Sequence, residues 1–231
     1  MRWAERDGVR WMEADLPGAR AAFSTRSSGS AKDDAAPLAA ALGFVPERIA
    51  TADQVHGTDL IVHQRPFRCS LSPNNEQKEQ RNGIWEADGH VIRDPGLTAL
   101  VFVADCLPVA VAGPDGVAIL HCGWRGLAAG IVARGVEAVG ATHAAIGPGI
   151  GSCCYEVGDE VLGAFAALGD GIASGRMLDL PEVARRLLRE GGVGEIESAG
   201  LCTSCEEELF FSHRRDGDPG RQAGLAWIEG G

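Results

Sequence analysis

Lysine is almost missing from this sequence: Lys32 and Lys78 are the only two among 21 basic residues, against 32 acidic ones and a formal net charge of −11. Nucleic-acid binding runs on phosphate neutralisation by clustered cations, so an acidic chain without a basic cluster excludes that class of partner. Long apolar runs are missing too. No stretch approaches the roughly 20 residues of a membrane-spanning helix. The N-terminal MRWAERDGVRWMEADLPG mixes both charges with two tryptophans where a secretion signal carries an apolar core. The expectation is a cytoplasmic protein that works away from membranes. Histidine is scarce: there are six, none in a His-x-His pair, and the three methionines lie far in sequence from any motif. A multicopper cluster needs many paired histidines and commonly a soft axial ligand, so this composition argues against one. The seven cysteines are an odd number in a chain read as intracellular, which points to reduced thiols, some of them ligands or nucleophiles.

What is present suits one α+β domain over residues 1–231. A chain of this length buries roughly 70–75% of its unfolded surface and needs no staples, and 45% of its residues are hydrophobic. Composition and spacing predict strands at 21–25, 48–55, 59–64, 98–104, 108–113, 117–121, 144–146, 195–201 and 222–228. Helices are predicted at 36–43, 126–140, 155–169 and 181–190. The polar, aperiodic stretch 65–84 reads as a long flexible surface loop. Runs of strands mixed with isolated helices indicate α+β rather than regular βαβ alternation.

The chemistry gathers at strand ends. In ADCLPVAVAGPDGVAILHCGWRGL (104–127), Cys106 and His121 stand at the outer ends of what reads as one hairpin, fifteen residues apart around a Gly-Pro-Asp-Gly turn. His56 likewise ends the run RIATADQVH before a glycine. Strand ends hold side chains firmly and leave their tips accessible. His, Cys and His suit zinc, and three protein ligands leave the fourth position of a catalytic site open. The bland alternative is a core cysteine and two ordinary histidines. Cys202-Thr-Ser-Cys205 is a lone C-x-x-C, read as a reduced structural pair. Cys153-Cys154 follow the glycine-rich IGPGIG turn, which is either an anion cradle or simply a tight loop.

Five blocks, DQVHG (53–57), ADCLPVA (104–110), HCGWRG (121–126), IGPGIGSCCYEVGDEV (146–161) and FFSHRRDGDPGRQAGLAWI (210–228), resemble those of the YfiH/laccase-domain family, also called multicopper polyphenol oxidases. The blocks stand in family order and span nearly the whole chain. The resemblance implies a sandwich of mixed β-sheets flanked by helices, with zinc held by His56, Cys106 and His121. It implies purine nucleoside chemistry: phosphorolysis of adenosine, inosine, guanosine and methylthioadenosine, and deamination of adenosine. Partners would be nucleoside and phosphate, and the chain a monomer or small homo-oligomer. Arg26 (FSTR) and Arg125 (GWRG) are the candidate phosphate ligands. The alternative for Arg125 is a structural bridge to a carboxylate such as Asp105. Asp88, in EADGHV, is a candidate catalytic acid beside Cys106 and His121; a plain turn is the alternative.

The sequence also departs from the family. The segment after Arg26 is short and carries no arginine before Arg48, where relatives have an Asn-Arg pair on the following helix. Cys122 replaces an alanine, bringing a second thiol beside the site. A different enzyme class fits the same residues: a hydrolase in which His121 activates Cys106, as in the deamidating toxins whose fold the family resembles, or an amidase acting on cell-wall peptide precursors.

Overall fold

The computed structural model describes residues 1–64, 68–71, 85–217 and 220–230. Its first elements are β1 (Arg2–Arg6), β2 (Val9–Leu16), β3 (Ala19–Ser24), α1 (Ala36–Leu42), β4 (Ile49–Ala50), β5 (Leu60–Gln64) and β6 (Arg68–Leu71). The middle of the chain forms β7 (Gly89–Ile92), β8 (Thr98–Val103), β9 (Leu107–Gly113), β10 (Gly116–Cys122), α2 (Trp124–Ala128), α3 (Ile131–Val139) and β11 (His143–Ile146). After these come α4 (Asp159–Ala164), β12 (Ala173–Ser174), β13 (Met177–Leu178), α5 (Leu180–Glu190), β14 (Glu195–Ser198), α6 (His213–Asp216) and β15 (Gln222–Ile228).

The strands form two mixed sheets, ordered β1-β2-β3-β15-β8-β4 and β14-β11-β9-β10-β7-β5-β6, beside the small hairpin β12-β13. Pairing is antiparallel except β4 with β8, β5 with β7, and β11 with β14. Side-chain alternation along each strand makes the layers. Ala110, Ala112, Val117 and Ile119 meet Phe23, Val101 and Ala226 between the sheets. Val109, Val111 and Leu120 point the other way, onto Ile131 and Val136 of α3 and Val183 and Leu188 of α5. On the far side, Leu38 and Ala41 of α1 cover Leu100 and Leu225. Burying each such Leu, Ile or Val contributes about 1.5–3 kcal/mol. The architecture is the expected α+β sandwich with helices outside. Among the described residues no helix is long and apolar enough to cross a membrane.

Several elements differ from expectation. The strand expected over 48–55 is only Ile49–Ala50; the rest is a loop. The helix expected over 126–140 breaks at Gly130, whose φ of +93° cannot continue a right-handed helix, so α2 and α3 pack separately. Of 155–169 only α4 and one 3-10 turn are helical, because the backbone of Glu156 pairs instead with Met177. Strands β1, β2, β7, β12 and β13 are additional to those the sequence pattern predicts. β1 is mostly exposed, and β7 is buried at all four residues, so neither shows the two-residue alternation that reveals a strand. Most of the 65–84 stretch lies outside the described residues; the described part, Arg68–Leu71, is β6, paired with β5.

Candidate metal centre

The β9–β10 hairpin brings Cys106 and His121 together. Its register pairs His121 with Pro108 and Cys122 with Leu107, so the residue before β9 lies beside the end of β10. His56 arrives on the loop between β4 and β5, which is fixed from two sides. Gln54 pairs with Phe102 of β8 like a peptide, donating from Nε2 to its carbonyl at 2.8 Å and accepting its N–H at 2.7 Å. The backbone N–H groups of Val55, His56 and Gly57 all donate to the Asp88 carboxylate, at 3.1, 2.9 and 2.6 Å. His56 takes a φ of +60° to aim them there, a nest of amides around an anion. Asp105, next to Cys106, is also left-handed, at +87°. Such strain beside a site persists only where the surroundings enforce it. Asp105 is held by the Thr203 hydroxyl and the Arg214 N–H, both at 2.7 Å, and its carbonyl accepts from Ile150 N–H at 2.8 Å.

The result is a donor set of one sulfur and two imidazoles. One ligand atom from each of His56, Cys106 and His121 falls within 4.8 Å of the others. His56 is exposed, Cys106 half-buried and His121 buried, so the cluster is open on the His56 side. The two imidazole rings meet edge to face, centroids 4.8 Å apart. Nδ1 of His121 lies 2.8 Å from Oδ1 of Asp88. A carboxylate accepts, so Nδ1 carries the proton and Nε2 is left toward Cys106. A carboxylate hydrogen-bonded to the far nitrogen of a metal-binding histidine fixes its ring and tautomer. Gly123 is the third requirement: a Cβ there would lie 2.9 Å from Sγ of Cys106 and 3.1 Å from Cδ2 of His56. The donors and spacing fit a zinc-class ion with an open position.

The electrostatics agree. Burial alone would push the Cys106 thiol up, but the charge of His121 and hydrogen bonds from both histidines bring it down to about 6. Burial would lower His121, yet the Cys106 thiolate and Asp88 raise it to about 9. Asp88, fully buried, stays below its usual range: burial opposes ionisation, but His121 and the loop amides outweigh it. Near neutral pH Cys106 is therefore a thiolate, the form that binds metal or attacks carbon.

The other sequence-derived residues lie around this core. Asp88 is enclosed behind His121 and does not line a cleft. Arg125 is exposed in the first turn of α2, stacked on Trp124 at 4.4 Å; the carboxylate of Asp105 is engaged with Thr203 and Arg214 instead. Arg26 is joined to the site through the 207–216 segment: its guanidinium donates to Glu207 O at 2.6 Å and lies over Phe211 at 4.8 Å. Cys122 is fully buried among Leu60, Leu120 and Leu127, so this second thiol belongs to the core. Tyr155 was missed by sequence reasoning. Burial and the Cys106 charge push its hydroxyl up to about 12, against the opposing pull of Arg214 and Arg125. It thus shares the field of Cys106 and both arginines. Its only sequence signal was its place in the CCYEV block.

Residues 23–229 match the family model described as multi-copper polyphenol oxidoreductase laccase. The chain belongs to this family. Relatives include a protein named purine nucleoside phosphorylase from Deinococcus radiodurans, 37% identical over 84% of this chain and 74% of the relative. Another is purine nucleoside phosphorylase YfiH from Escherichia coli K12, 34% identical over 81% of this chain and 77% of the relative. Among solved structures, the hypothetical protein YfiH of Bacillus licheniformis superposes with a TM-score of 0.81 at 28% identity, covering 98% of this chain and 99% of its own. YlmD from Geobacillus stearothermophilus gives 0.79 at 29% identity, covering 99% of each chain.

Proposed function

We propose that the protein is a zinc-dependent purine nucleoside enzyme that cleaves adenosine, inosine, guanosine and methylthioadenosine with phosphate and also deaminates adenosine. The convergence of His56, Cys106 and His121, with Asp88 locking His121 from behind, carries this reading. Relatives named purine nucleoside phosphorylase support the substrate class. When bound, zinc would supply a Lewis acid and lower the pKa of water at its open position.

The chain's own residues do the rest. Asp88 fixes the ring and tautomer of His121, and its amide nest fixes His56, so the donors are preorganised. In phosphorolysis a phosphate oxygen bonds to C1′ of the ribose as the C1′–N9 bond breaks, its electron pair passing to the purine, which takes up a proton. Phosphate needs local positive charge in a chain of net −11. Arg125, exposed in the first turn of α2 and stacked on Trp124, and Arg26 are assigned to it. In deamination, water oxygen adds at C6 and ammonia leaves.

A second reading is favoured by the same geometry: Cys106, His121 and Asp88 line up as thiolate, imidazole and carboxylate, the order of a cysteine hydrolase triad. His56 supports the metal reading. A triad has no use for a second imidazole at the sulfur, whereas a metal needs it. Zinc-loaded protein incubated with adenosine, inosine and guanosine, with and without phosphate, tests the proposal. Free base, or inosine from adenosine, is expected. Arg125→Ala should weaken phosphate-dependent cleavage more than deamination, and His121→Ala should abolish deamination. Absence of every product from zinc-loaded protein, together with metal-free amidase activity lost on alkylation, would establish the hydrolase instead.

A further inference from the structure

Four more thiols meet elsewhere. Cys202-Thr-Ser-Cys205 is a lone motif in sequence, but the fold sets Cys153 and Cys154 against it. The four sulfurs all fall within 4.8 Å of one another. Sγ of Cys205 lies 3.2 Å from that of Cys153 and 3.4 Å from that of Cys154. A disulfide needs about 2.05 Å, while four thiolates around one zinc, bonded at about 2.3 Å, stand about 3.8 Å apart. The observed spread brackets that separation. An iron–sulfur cluster would interpose sulfide and force the thiolates further apart.

Other features have the form of a metal knot. The two loops are held in register by their backbones, Thr203 N–H donating to Gly149 O at 3.0 Å. Gly151 N–H donates to Sγ of Cys202 at 3.3 Å, an amide supporting a thiolate. Cationic side chains flank the cluster from α6. Arg214 donates to Glu156 O at 3.0 Å, and Arg215 donates to Thr203 O and Ser204 O at 3.0 and 3.1 Å. Arg214 offsets part of the two negative charges that four thiolates would leave on a divalent ion, whereas Arg215 is itself paired with Asp216 at 2.6 Å.

We propose that Cys153, Cys154, Cys202 and Cys205 form a second, structural metal site, a closed tetrathiolate for a zinc-class ion. The ion ties the loop at 202–205 to the turn at 149–155. Between two of the ligands, fully buried Thr203 donates its hydroxyl to Asp105, the residue before Cys106. The knot therefore positions the strand end that carries the catalytic-site sulfur, without touching substrate.

Metal analysis of the full-length, untagged Cys106→Ala protein tests this apart from the proposed activity, because that variant disables the first site. About one zinc per chain should remain, resisting a chelator that strips weak sites, with X-ray absorption showing four sulfur neighbours at about 2.3 Å. Cys153→Ser and Cys205→Ser in that background should each lose it, and both positions are exposed enough to substitute without disturbing the core. Should either serine variant fail to fold, the Cys106→Ala measurement decides alone. The proposal is overturned if that protein, loaded with zinc, retains none after the chelator. It is equally overturned if Cys153, Cys154, Cys202 and Cys205 are found paired in disulfides by intact mass, or if the absorption spectrum shows nitrogen or oxygen neighbours.

Discussion

One oxygen of Asp88 lies 2.8 Å from Nδ1 of His121 and also accepts the backbone N–H of His56 at 2.9 Å. A single buried carboxylate thus fixes the ring of His121 and the backbone of His56, the two histidines that face Cys106. Asp88→Asn keeps the size but exchanges an acceptor for a donor and removes the charge that the nest of amides surrounds. We expect zinc affinity to fall about 10–100-fold, the usual effect of losing such a partner. Chelator competition measures it, with far-UV circular dichroism confirming the fold. Unchanged affinity would mean Asp88 serves only the loop.

Gly123→Ala tests the close approach at the cluster. Gly123 has φ −80° and ψ 167°, which alanine adopts readily, so any effect is steric. The added methyl meets Cys106 and His56 and should reduce zinc affinity by about tenfold or more. Gly163→Ala in α4 is the control: nothing lies within 4 Å of its Cβ position, and the protein should gain about 0.5–1 kcal/mol from helix propensity. Equal zinc titrations for the wild type and Gly123→Ala would refute the packing argument.

Acid should destabilise the protein through a histidine pair, His90 fully buried and His63 half-buried. Nε2 of His63 lies 3.0 Å from Nδ1 of His90. Burial, helped by the charge of His63, holds His90 down to about 3, and burial lowers His63 as well. The unfolded chain therefore binds protons near pH 6.5 that the folded chain refuses. This stabilisation is complete above pH 6.5 and is lost progressively as pH falls toward 3. Between pH 7 and 4 it amounts to about 2–3 kcal/mol. Urea melts at several pH values should show His90→Leu losing stability less steeply than the wild type; parallel curves would remove the pair from the account.

Copper should not turn the protein into a laccase, despite the family's description. With six histidines and no His-x-His pair, the chain lacks the ligands of a multicopper cluster. Copper-loaded protein should oxidise a phenolic substrate no faster than an equal amount of free copper. Sustained turnover with several firmly bound copper ions per chain would contradict this.

The sequence by itself determined the candidate ligand set. Cys106 and His121 close apolar runs whose two-residue turn fixes which ends meet, whereas His56, on the loop after β4, is joined to them in sequence through the family blocks. Helix α5 was equally legible, because its apolar spacing and its proline near the start are local signals. Tertiary structure decided the rest. The buried strand β7 carries no alternation, so Asp88 just before it gave no sign that its carboxylate would lie behind His121, 33 residues on. Cys153-Cys154 and Cys202-x-x-Cys205 looked like unrelated pairs. Only the parallel pairing of β11 with β14 carries the two following loops side by side and brings the four sulfurs together. Contacts across such distances come from sheet order and long-range packing, which no local pattern of residues encodes.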